Sequence, residues 1–159
     1  MICSDKNGTL TRNEMTVQRV ICSDQVIEVD GSGYEPQGGF RMDGQTLEPA
    51  ARPELVMALR AAVLCNDARL FQQQDSWQIE GDPTEGALLA LGAKAGYEHQ
   101  QLQQQWPRLG CIPFESQHRF MATWHRDPDG APWIFVKGAP ERILEMCDRQ
   151  LGAEGRQPL

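Results

Sequence analysis

The chain has 159 residues, 40% of them hydrophobic, and a formal net charge of −7. That length suffices for one packed core, and the acidic balance with no basic stripe argues against a nucleic-acid surface. No apolar run approaches the ~18–20 residues of a membrane span, and charged or polar groups throughout residues 1–15 predict no signal peptide.

The first informative stretch is Ile2-Cys3-Ser4-Asp5-Lys6-Asn7-Gly8-Thr9-Leu10-Thr11. A short apolar run ends in an aspartate, and a glycine-containing turn follows. Such a turn sets a carboxylate beside free backbone N–H groups, a place suited to an anion or phosphoryl ligand. A carboxylate there can act as a nucleophile toward phosphorus. Lys6 can neutralise charge on the transferring group, and Thr9 and Thr11 supply hydroxyl donors.

Residues 12–30 predict a β-hairpin, with Met15 to Cys22 and Gln25 to Val29 split by Ser23-Asp24. Gly31 to Gly44 is glycine-rich and predicts an irregular strand and loop; it lacks the third glycine and the helix of a dinucleotide fingerprint. Pro53 to Cys65 predicts a helix, with Pro53 in its first turn and Leu55, Leu59, Ala62 and Val63 on one face. Ala68 to Gln74 reads as a polar loop, Ser76 to Glu80 as a short strand, and Asp82 to about Ala95 as a second helix. Gln100 to Gln105 suggests a short exposed helix. Three strands follow, over Leu109 to Phe114, Arg119 to Arg126 and Trp133 to Lys137, with a turn at Asp127-Pro128-Asp129-Gly130. Ala139 to Cys147 predicts a last helix, and the chain from Gly152 on is polar, with no core element expected. The five cysteines (Cys3, Cys22, Cys65, Cys111, Cys147) are odd in number and form no Cys-x-x-Cys pair. They predict reduced, buried thiols rather than a zinc site. His99 and His125 read as solvated.

Three segments carry candidate binding residues, each with a plain structural alternative. In Gly81-Asp82-Pro83-Thr84-Glu85-Gly86-Ala87-Leu88, Asp82 is a good N-cap, Pro83 suits the first helical position, and Glu85 sits where a capping-box carboxylate sits. In Pro113-Phe114-Glu115-Ser116-Gln117-His118-Arg119, Phe114 is either a core side chain or an exposed ring near a cation. The second arrangement fits a stacked base with a phosphate tail beyond it. In Lys137-Gly138-Ala139-Pro140-Glu141, Lys137 is either a surface lysine or a cation beside free helix N–H groups, and Gly138 allows close backbone approach.

Together these segments resemble the P-type cation-transporting ATPases, in the calcium-pump-like branch. Asp5 to Thr11 resembles that family's phosphorylation motif and departs from it only at Asn7, where the family has Thr. Gly31-Ser32-Gly33-Tyr34-Glu35-Pro36-Gln37-Gly38, Gly81 to Leu88, Pro113 to Ser116 and Lys137 to Glu141 resemble further family segments, in family order, so the resemblance runs from Ile2 to about Cys147. It implies an α+β fold, an antiparallel β-sheet flanked by helices. It also implies a nucleotide-binding domain over 15–159, cut at its C-terminal end, after the opening segment of a phosphorylation domain over 1–14.

The implied cofactors are ATP and Mg²⁺. Adenine would lie on Phe114 with Glu85 at its amino group, and Lys137, Gly138 and Arg119 would serve the nucleotide. The family usually has Lys at the position of Arg119. Asp5 would be the phosphorylated nucleophile, assisted by Lys6 and Thr9, with Mg²⁺ at Asp5 and the backbone carbonyl of Asn7. The implied partners are ATP or ADP and the remaining phosphorylation, actuator and transmembrane domains of a membrane-embedded parent. This piece would be a soluble, monomeric cytoplasmic part that binds nucleotide without turnover. The rival readings are a haloacid-dehalogenase-like phosphatase and a non-enzymatic interaction domain. Asn7 argues against the phosphatase, because those enzymes carry an aspartate there as general acid and base and an amide does not titrate.

Overall fold

A computed structural model describes residues 14–22, 25–152 and 154–159. Asp5, Lys6, Asn7 and Thr9 lie outside the described residues, so the phosphorylation-motif expectations are carried by sequence alone. Among the described residues all strand pairing is antiparallel and several helices pack against the sheets, as expected for an α+β domain. The expected sheet is divided into four smaller ones.

The first sheet has four strands, β1 (Arg19–Cys22), β2 (Gln25–Val29), β3 (Phe40–Met42) and β4 (Gln45–Leu47), in chain order. The predicted β1–β2 hairpin is present, with Ile21 opposite Val26. The β3–β4 hairpin falls in and beyond the stretch read as irregular. Its turn is Asp43-Gly44, both with positive φ (51° and 77°), which a two-residue hairpin turn needs and which Asp-Gly favours.

Helix α1 (Pro53–Leu64) begins with proline in its first turn and buries Leu55, Leu59, Ala62 and Val63, the face read from the sequence. It is shared by two cores. Leu55 and Leu59 pack with Ile27, Val29, Phe40 and Leu91 under the first sheet. Val63, Leu64 and Cys65 pack with Leu89, Leu102, Trp106, Met121 and Phe135. One helix thus ties the four-stranded sheet to the rest of the domain through apolar burial.

Residues 68–74, read as a loop, instead hold β5 (Arg69–Gln73), which pairs with β6 (Ser76–Glu80). Leu70 faces Ile79 across the ladder, and that pairing outweighs the polar glutamines that hid the strand. Helix α2 (Pro83–Lys94) starts at Asp82, whose carboxylate accepts from the N–H groups of Thr84 (2.8 Å) and Glu85 (3.2 Å). At its far end Lys94 Nζ donates to the carbonyl of Asp30 at 2.8 Å, anchoring the end of β2. Helix α3 (His99–Gln105) is less exposed than expected, because Leu102 enters the core.

The third sheet runs β7 (Arg108–Glu115), β8 (Phe120–Arg126) and β9 (Pro132–Gly138). Its inner face carries an aromatic cluster. Trp106 lies 5.8 Å from both Trp133 and Phe135, and Arg60 sits over the Trp106 ring at 5.1 Å. His125 belongs to this core and is fully buried, which corrects its reading as solvated. Its Nδ1–H donates to the Trp106 carbonyl (3.0 Å), so in the neutral ring Nε2 accepts from the Thr123 hydroxyl (2.9 Å). Burial holds its pKa below the ordinary imidazole value.

Helix α4 (Pro140–Glu145) follows β9 directly. The chain then closes with a β10 (Arg149–Gly152) and β11 (Gly155–Pro158) hairpin, where no element was expected. Among the described cysteines, Cys22 and Cys65 are buried free thiols as expected, whereas Cys111 and Cys147 are exposed.

Candidate functional site

A cleft of about 580 Å³ opens between the start of α2 and the ends of β7, β8 and β9. Its lining includes Glu85, Leu88, Phe114, Met121, Lys137 and Gly138. Four of the five predicted binding residues are therefore brought together, from segments far apart in the chain. Phe114 is 57% exposed despite its size. It is not a core side chain, and its ring is free to meet a ligand.

Glu85 and Lys137, 52 positions apart, form an ion pair at 2.5 Å with only 16% and 22% of their side chains exposed. Asp82 caps the helix, and the Glu85 carboxylate, held by Lys137, turns toward the cleft instead of back to the Asp82 N–H as it would in a capping box. Its second oxygen accepts from the backbone N–H of Asp67 at 3.3 Å. Asp67 in turn takes Arg108 Nη1 at 2.7 Å.

Gly138 stands at a close backbone approach. A Cβ there would stand 2.3 Å from the Arg119 carbonyl and 2.7 Å from Phe120 Cα. The close approach is between β9 and β8, which lets Lys137 and the cleft wall sit together. Arg119 is the predicted residue that does not join the cleft lining. Its guanidinium pairs with Glu141 at 2.6 Å, and both side chains are at least half exposed. Its backbone has positive φ (58°), closing the connection from β7 to β8, where its N–H meets the Glu115 carbonyl at 2.8 Å. Glu141 stands in the first turn of α4.

Sequence reasoning missed Asn66, Asp67 and Arg108. Their signal was faint: an Asn-Asp pair just past a helix end, which reads as ordinary stop chemistry. Among the described residues, no group of three or more His, Cys, Asp or Glu side chains is arranged to hold a metal ion.

The architecture is thus an antiparallel α+β domain with a largely apolar cleft, lined by one aromatic ring (Phe114), three acids (Asp67, Asp82 and Glu85) and one lysine (Lys137). The family model described as "P-type ATPase, cytoplasmic domain N" matches residues 54–159, and the chain belongs to that family. Relatives agree over nearly all of the chain. The cation-transporting ATPase pma1 of Synechocystis is 46% identical, covering 98% of this chain and 18% of its own length. A probable cation-transporting ATPase F of Mycobacterium tuberculosis is 41% identical, covering 98% and 17%. The calcium-transporting ATPase type 2C member 1 of Bos taurus is 40% identical, covering 92% and 15%. The chain thus spans less than a fifth of the length of the curated relatives it matches. No described helix is long and apolar enough to cross a membrane.

Proposed function

We propose that this domain binds ATP or ADP in the cleft between α2 and the β7–β9 sheet, as the nucleotide-binding part of a cation-transporting P-type pump. One observation carries the proposal: Glu85, Phe114, Lys137 and Gly138 share one cleft although they come from three separate segments. An exposed aromatic face suits a purine, a carboxylate at its edge suits an exocyclic amine, and the Lys137 ammonium, paired with that carboxylate, holds it at the purine end of the cleft.

Arg119 joins at the phosphate end by exchanging the Glu141 carboxylate for a phosphate oxygen. In the whole pump, taken as nucleotide-binding over 15–159 with the phosphorylation domain opening over 1–14, Asp5 is the nucleophile toward the γ-phosphorus. Lys6 and Thr9 steady the transferred group. Mg²⁺, held by Asp5 and the Asn7 carbonyl, would supply charge neutralisation on the phosphates. The phosphorylation, actuator and transmembrane domains are the partners that turn this event into cation movement. Relatives carry both cation-transporting and calcium-transporting names, and the calcium-pump-like branch is the proposed affiliation.

The isolated chain binds nucleotide weakly and turns nothing over. Isothermal titration with ATP and ADP tests this. Heat of binding whose affinity falls about tenfold in Phe114→Ala is the expected result, and no binding to the folded chain would refute the proposal. Steady, Asp5-dependent phosphate release from the isolated chain would contradict its inactivity. In the full-length protein, Asn7→Thr is expected to raise phosphoenzyme labelling; equal labelling of both forms would show that Asn7 is tolerated.

A further inference from the structure

Asn66 is 1% exposed and sits at the junction of α1, β5 and the first turn of α2. Its side-chain amide donates to the Ala62 carbonyl and to the Glu85 backbone carbonyl, both at 3.0 Å. Its Oδ1 accepts from the Ala68 N–H at 2.9 Å. The orientation follows from the partners: a flipped amide would aim its oxygen at two carbonyls. No other residue of this size offers two donors and one acceptor in this plane. Aspartate lacks the donors, serine is too short for both carbonyls, and leucine removes the partner of the Ala68 N–H and of the Ala62 carbonyl and the tie to the Glu85 carbonyl.

These bonds do more than close a helix. The bond to the Glu85 carbonyl fixes the α2 turn that carries the Glu85 side chain. The bond from Ala68 fixes the loop that aims the Asp67 N–H at Glu85 Oε2. Both ends of that N–H to carboxylate contact are therefore set by one buried amide. Lys137 holds the other oxygen. The carboxylate is thereby fixed in direction and keeps lone pairs for one further donor.

We propose that Asn66 is a positioning residue for Glu85, setting the carboxylate that discriminates a purine bearing an exocyclic amine from one bearing a carbonyl at the same place. The discrimination rests on the nucleotide reading above; the positioning of Glu85 stands without it. The aim of a carboxylate matters because a carbonyl oxygen in place of the amine meets a like partial charge, and a misaimed acid loses that contrast.

The test uses the whole chain, with ATP and inosine triphosphate as probes. Wild type binds ATP more tightly than inosine triphosphate, and Glu85→Ala removes the preference. Asn66→Ala is expected to reduce the preference at least fivefold, with inosine triphosphate affinity kept within twofold. A merely structural defect would weaken both probes equally and leave the ratio unchanged, so a folded Asn66→Ala with the wild-type ratio overturns the proposal. Asn66→Ser, whose hydroxyl can reach back to the Ala62 carbonyl but not also to Glu85, replaces it if the alanine variant does not fold. If wild type shows no preference, the nucleotide reading of Glu85 fails. The positioning is then decided by amide hydrogen exchange without ligand. A tenfold or larger acceleration at Asp67, with central α2 amides unchanged, upholds it, and unchanged exchange at Asp67 overturns it.

Discussion

Two lysine- or arginine-to-glutamate pairs flank the end of β9, and they differ in what surrounds them. Lys137–Glu85 lies inside the cleft with most of each side chain out of water, whereas Arg119–Glu141 lies outside with both partners largely solvated. Their contact distances are nearly the same. The difference lies in the medium: Coulomb attraction and the cost of a lost partner both grow as water is excluded. The inner pair therefore shapes the site, while the outer pair is a contact a ligand can displace at little cost.

Breaking the inner pair should give the largest effect. Lys137→Met leaves the Glu85 carboxylate partly buried without its cation. The expected loss is about 2 kcal/mol, below the roughly 3–5 kcal/mol of a fully buried pair. Urea unfolding measures it, and the double variant Glu85→Gln/Lys137→Met should recover much of the loss. Phe114→Ala comes next. With its ring largely exposed, stability should change little, while ATP affinity falls about tenfold, the order expected for one base–aromatic stack.

A pH series probes the core behind the cleft. His125 is buried, and its folded pKa lies below its unfolded value of about 6.5. The unfolded chain then binds the extra proton first, so this group's contribution is full above pH ~6.5 and is lost as pH falls toward the folded pKa. Urea midpoints should drop between pH 7.5 and 5.5, and less so in a folded His125→Gln variant. The smallest effect belongs to the outer pair. Glu141→Gln should alter stability by no more than about 0.5 kcal/mol and, by freeing Arg119, raise ATP affinity slightly. A loss of affinity there would mean the two pairs are not separable as described.

The helices and central strands were legible because their signals are local. Pro53 and Pro83 open helices, Asp82 caps one, and Leu55 and Leu59 repeat on one face. The strand at Arg69–Gln73 was hidden because its glutamines carry little apolar alternation and its partner supplies the pairing. The β3–β4 hairpin was masked by surrounding glycines, although Asp43-Gly44 itself is a strong turn signal. At the site, residue identity was legible in Glu85, Phe114, Lys137 and Gly138. Their arrangement was not: the ion pair joins residues 52 apart, and no spacing in the chain announces it. Arg119 illustrates the limit best. It stands five residues after Phe114, yet its positive φ and the Glu141 carboxylate take its guanidinium elsewhere.

The most direct test is a ¹H–¹⁵N correlation spectrum of the labelled chain titrated with ATP. Saturable shifts at Glu85, Phe114, Lys137 and Gly138, larger than any on the outward side of β9 around Ile134, are the predicted outcome. Saturating ATP that leaves those four amides unmoved, or that moves a group of residues elsewhere instead, would contradict the cleft as the binding site.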